Sequence, residues 1–113
     1  MYIWKIDFFP PSGERSSPFD FVNGLSRESD AAAVIHRLES MRKMEMVDWP
    51  SAWVHKLVGK IYQLTAGAFR LMYCLDQGTI VVLYACRKKG RRTNPQDLER
   101  AEIHYRRYFT ERG

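Results

Sequence analysis

Five cations fall within six consecutive positions of "CRKKGRRTNP": Arg87, Lys88, Lys89, Arg91 and Arg92, interrupted by Gly90. Guanidinium and ammonium groups at this density suit contact with a polyanion, above all with phosphates. The segment runs into Asn94 and Pro95, which read as a helix start. The dipole at that end favours anions by up to about 1 kcal/mol, so the cations oppose it and also repel one another. A bound phosphate relieves both penalties, and the free N–H groups of the first helical turn add donors. A second candidate, Arg70, sits in the apolar stretch "AFRLMYCL". Strand alternation places Phe69, Leu71, Tyr73 and Leu75 on one face, with Arg70, Met72 and Cys74 on the other. A hairpin return would bring Arg70 near the end of the next strand, where Tyr84 and the basic segment emerge. An arginine on a half-open sheet face, bordered by cations, can grip a phosphodiester, and Tyr62 or Tyr84 can stack a base or orient a hydroxyl.

Other chemistries lack their residues. The sequence holds no Cys-x-x-Cys, no His-Glu-x-x-His, no phosphate-cradling glycine loop and no Gly-x-Ser-x-Gly. No metal and no cofactor are expected. Of the three histidines, His36 falls in a helix as a surface residue, His55 in a loop and His104 in the last helix. Cys74 and Cys86 have no metal-ligand spacing and read as buried free thiols in a reducing cytoplasm.

The elements that must position these groups fit one domain, residues 1–113, because domains typically run about 100–150 residues. Charge is unevenly spread. Residues 1–57 carry 7 Lys/Arg against 8 Asp/Glu, whereas residues 58–113 carry 11 against 5. The excess in the second half points to an anionic partner, nucleic acid rather than membrane, since no long basic amphipathic helix has a broad apolar face. No apolar stretch is long enough to span a bilayer, and "MYIWKIDFFPP" lacks the head and middle of a signal peptide.

"YIWKIDFF" alternates as a strand that ends at Pro10-Pro11. Ser17 caps a helix with Pro18 at its first position, stopping near Gly24. A second helix starts near Ser29 or Asp30 and ends around Glu45, and "VDWPSAWVHKLVG" reads as a loop. Three strands follow, "KIYQLT", "AFRLMYCL" and "TIVVLYA", with "DQG" making a tight hairpin turn at Gly78. Asn94 caps a final helix bearing the stripe Leu98, Ala101, Tyr105 and Tyr108 or Phe109. The expected fold is α+β: a small antiparallel sheet of one N-terminal strand plus a three-strand meander, two N-terminal helices and a C-terminal helix, with the helices on one face.

The segments "IYQLT", "AFRLMY", "DQG", "IVVLYA", "RKKGRRTNP" and "LERA", in that order and spacing, resemble the RelE/ParE toxin superfamily, specifically its phage-derived HigB-like branch. "SPFDFVNGLS" is similar to the first helix of that branch. The resemblance implies the toxin of a type II toxin–antitoxin system, a cytoplasmic bacterial or prophage-encoded protein bound by a cognate helix-turn-helix antitoxin. It further implies a ribosome-dependent mRNA endonuclease in which the 2′-hydroxyl attacks the neighbouring phosphate without metal. Arg70 matches the arginine after the aromatic in the family's "Y/F-R". Lys88, Lys89 and Arg92 match basic positions of its "K-K-T-x-K-T". His104, Tyr84 and a lysine are the candidates for moving protons. Two positions depart from the pattern, Thr65 where the family has an arginine and Gln63 two residues earlier. Those departures keep a non-catalytic RNA- or antitoxin-binding relic as an alternative, and the same fold also hosts ParE-like gyrase inhibitors.

Overall fold

The computed structural model describes residues 2–112. Its elements are β1 (Lys5–Phe8), α1 (Pro18–Asn23), α2 (Glu28–Arg42), a short 3₁₀ turn (Met46–Asp48), β2 (Val54–Val58), β3 (Ile61–Ala66), β4 (Phe69–Asp76), β5 (Thr79–Arg87) and α3 (Pro95–Glu111). The strands form one sheet in the order β1-β5-β4-β3-β2. β2 to β5 make an antiparallel meander. β1 joins its far edge in parallel, with Lys5 opposite Thr79 and Phe8 opposite Val82.

Local chemistry accounts for the boundaries. The Ser17 side chain accepts from Asp20 N–H and Pro18 opens α1. Asn94 accepts from Gln96 N–H at 2.8 Å and Pro95 opens α3. Between β4 and β5, Gln77 (φ 46°) and Gly78 (φ 80°) are both left-handed, as a two-residue hairpin turn of this twist requires. α2 stops at Arg42, short of the expected Glu45, because other groups take its last carbonyls. The Trp49 indole donates to Met41 O at 2.9 Å, and Ile3 and Trp4 N–H both donate to Arg42 O.

Three features correct the expected architecture. The sheet is mixed rather than antiparallel, and it has five strands rather than four. The added strand, β2, comes from the segment read as a loop. A bulge between Lys56 and Val58 breaks its alternation, so Val54 packs toward one face and Leu57 toward the other. The helices also cover both faces. α1 and α2 lie over Leu64, Phe69, Leu71, Tyr73, Ile80 and Val82. The stripe of α3 (Leu98, Ala101, Tyr105, Tyr108, Phe109) takes the opposite face, formed by Ile61, Met72, Cys74, Val81 and Leu83. A second bulge, at Leu83 in β5, turns both Leu83 and Tyr84 toward α3. The face that carries Arg70 is therefore covered along most of its length, and not half-open. No helix among the described residues is long and apolar enough to cross a membrane.

Candidate nucleic-acid interface

β4 delivers Arg70 opposite Thr65 of β3 and Cys86 of β5, on the face of α3 but past the start of that helix. The bend of residues 88–93 fills the space. Arg70 is only 5% exposed. Its Nη1 donates to Arg92 O at 2.9 Å, and its Nη2 donates to Gly90 O at 2.8 Å and Arg91 O at 3.0 Å. Its Nε is buried with no partner among the described residues. Among the described residues no carboxylate pairs with this guanidinium. Carbonyl dipoles supply the stabilisation that a buried cation otherwise draws from water or a counter-ion. Gly90, at φ 78°, lets the chain turn its carbonyls inward, and Lys88 N–H donates to Ala68 O at 2.7 Å, pinning the start of the bend.

With its carbonyls turned in, the bend turns its side chains out. Lys88, Lys89, Arg91 and Arg92 are exposed, and none forms an ion pair among the described residues. The end of the bend is tied to the sheet by a second device. Thr93 Oγ1 lies 2.7 Å from Gln63 Oε1, and Gln63 Nε2 lies 3.3 Å from His55 Nε2. Gln63 is 2% exposed, while His55, opposite it on edge strand β2, is open to solvent. Thr65 contributes its backbone instead of a charge, its carbonyl accepting from Arg37 at 2.6 Å.

The remaining sequence candidates are dispersed. Arg87 pairs with Phe69 and lays its guanidinium over that ring at 4.8 Å, on the face opposite Arg70. Tyr62 also lies on the opposite face, stacked on Tyr73 with centroids 5.7 Å apart, so it shares no surface with the bend. His104 is 5% exposed, and its Nδ1 lies 2.6 Å from the carbonyl of bulge residue Leu83. That carbonyl accepts, so Nδ1 carries the proton, and burial lowers the pKa of the ring. Tyr84 is half-buried against α3, with its hydroxyl pushed above its ordinary pKa by burial and then by Asp97. Cys86, beside Arg70, is pushed up to about 12 by burial and then Asp97, although Arg70 and Lys89 act in the other direction. Its thiol is neutral at physiological pH and no nucleophile.

Arg70 and the cations of the bend thus meet, but through the backbone and with the guanidinium enclosed. Sequence reasoning missed the Thr93–Gln63–His55 chain. Its only signal was an amide at an inward position of a strand.

The chain matches the family model "Phage derived protein Gp49-like (DUF891)" over residues 20–106. It belongs to that family. The matched span of this Gp49-like protein runs from α1 into α3 and contains Gln63, Arg70 and the whole cationic bend. No curated protein matches the sequence.

Proposed function

We propose that this Gp49-like protein is the toxin of a type II toxin–antitoxin system and acts as an endoribonuclease on ribosome-bound mRNA. The observation that carries the reading is the buried Arg70 holding the carbonyls of Gly90, Arg91 and Arg92, so that four cations with no ion pair among the described residues face outward. Membership of a phage-derived family and the resemblance to RelE/HigB-like toxins support the same reading. In the reaction, the RNA 2′-oxygen forms a bond to phosphorus as the phosphorus–5′-oxygen bond breaks. The 2′-hydroxyl proton leaves to a base and the 5′-oxygen takes up a proton, giving a 2′,3′-cyclic phosphate and a 5′-hydroxyl. Lys88, Lys89, Arg91 and Arg92 stabilise the charge that builds on the phosphate. Arg70 acts as a positioning residue for them. A helix-turn-helix antitoxin is the partner that would cover the bend.

A second reading, a non-cleaving RNA- or antitoxin-binding protein, is favoured by the enclosure of Arg70 and His104 and by the uncharged Thr65. Expression in a bacterial host, with and without the antitoxin reading frame, decides between them when mRNA 5′ ends are mapped. Growth arrest with new ends inside coding regions, lost in a Lys88→Ala/Arg92→Ala variant, supports cleavage. RNA binding without new ends supports the second reading. Double-strand DNA breaks with intact messages would replace both with gyrase inhibition.

A further inference from the structure

We propose that His55 and Thr93 form a phosphate-binding position at the end of the cationic bend, coupled through Gln63 so that its grip tightens when His55 takes up a proton. The inference rests on the polyanion reading above and gives it a second, protonation-dependent contact.

A carboxamide has one accepting end and one donating end, and here each end has a single partner. Two arrangements satisfy all three groups. In one, the Thr93 hydroxyl donates to Gln63 Oε1 and the Gln63 amide donates to His55 Nε2, so a neutral imidazole carries its proton on Nδ1. In the other, Gln63 is reversed. His55 Nε2–H donates to Oε1, the amide donates to Thr93 Oγ1, and the Thr93 hydroxyl proton is released to point elsewhere. An imidazolium has no accepting nitrogen, so protonating His55 enforces the second arrangement. The same event therefore places a positive charge on exposed His55 and frees a hydroxyl donor at the foot of the bend. Both act on an anion lodged there. Because Gln63 is buried, water does not substitute for either partner.

On β2 the adjacent cation, Lys56, pairs with Tyr62 and points to the opposite face. β3 presents the uncharged Gln63. The bend that ends at Thr93 presents Lys88, Lys89, Arg91 and Arg92. On α3, Asp97 is turned toward Tyr84 and Cys86. Histidine ordinarily changes charge between about pH 5 and 8. By linkage, an anion that binds the protonated form better raises the proton affinity to the same extent.

The test is the affinity of the full chain for a fluorescein-labelled uridine oligonucleotide, 2′-O-methylated so that it cannot be cut, at constant ionic strength. Between about pH 8 and about pH 6 the wild type should bind about tenfold tighter, the size of one charge-assisted contact. His55→Gln, which keeps a partner for Gln63, should match the wild type at the higher pH and gain little on acidification. Thr93→Val should lose part of the gain, and His36→Asn on exposed α2 should keep all of it. Circular dichroism verifies that each variant is folded. Binding with the same pH dependence in wild type and His55→Gln, or loss of the gain in His36→Asn instead, overturns the inference and leaves the polyanion reading standing. No binding at any pH overturns both.

Discussion

A guanidinium taken out of water without a carboxylate persists only where fixed dipoles replace its hydration, and at Arg70 three carbonyls of the bend do this. The interaction is reciprocal, since carbonyls facing a buried cation are carbonyls that cannot wander. An ammonium lacks the planar fork and cannot reach the carbonyls of Gly90, Arg91 and Arg92 in the same geometry. Arg70→Lys should therefore destabilise the protein by about 2 kcal/mol, within the range for losing hydrogen bonds to a charged group, as read by denaturant unfolding. Backbone amides of residues 89–93 should exchange hydrogen faster while those of β4 and β5 stay protected. Unchanged stability and exchange would mean that the guanidinium does not hold the bend. The arginine was legible in the sequence as an anomaly in an apolar strand, and its nearness to the basic segment followed from the hairpin. Its enclosure was not legible, because its partners are backbone oxygens, which every residue has and no residue type announces.

Two irregular elements shape what the sheet presents. In β5, the bulge at Leu83 leaves a carbonyl outside the ladder, and His104 of α3 donates Nδ1–H to it. Burial lowers the folded-state pKa of His104 below the unfolded value of about 6.5. The unfolded state then binds the proton more readily, so this histidine lowers stability as pH falls below about 6.5 and leaves it unaffected above. His104→Asn retains a donor for Leu83 without a titrating ring, and should flatten that acid decline in thermal melts. A slope as steep as in the wild type would assign the decline to other groups. In the bend, Gly90 at φ 78° has open space where a Cβ would stand. Gly90→Ala should thus cost only the backbone penalty of about 1 kcal/mol and meet no clash, and it should weaken RNA binding by loosening the cage around Arg70. The regular pieces of these elements, the Asn94 and Ser17 caps and the Gln77–Gly78 turn, were readable because each is specified by adjacent residues. The bulges were not. Each adds one residue and breaks the period of two on which a strand is recognised, so the segment of β2 has the sequence of a loop and nothing in the alternation of β5 announces the crowding of Leu83 and Tyr84 onto one face. Pairing of β1 with β5 joins segments far apart in sequence, with no local mark of its parallel sense.

Across the whole molecule, the surplus of positive charge in the second half of the chain was evident from the sequence, but its division between two faces was not. Alternation through β5 sends Arg87 to the side of Phe69, whereas the bend beyond it crosses to the side of Arg70 and leaves Lys88, Lys89, Arg91 and Arg92 exposed. A run of five cations that looks uniform is thereby split into Arg87, exposed but lying over an aromatic ring on the other face, and four exposed on the bend without ion pairs among the described residues. Counterion release separates the two groups. Each single-strand phosphate neutralised adds about 0.7 to the slope of log affinity against log salt. Titrating a single-stranded RNA against the protein over a salt series should give a reduction of about that size for Arg91→Gln and for Lys89→Gln. Arg87→Gln removes the same formal charge and should leave the slope nearly unchanged, since its guanidinium lies over Phe69 on the other face. A drop for Arg87→Gln as large as for Arg91→Gln would show that RNA tracks both faces of the sheet edge, and that the Arg70-held bend is not what selects its path.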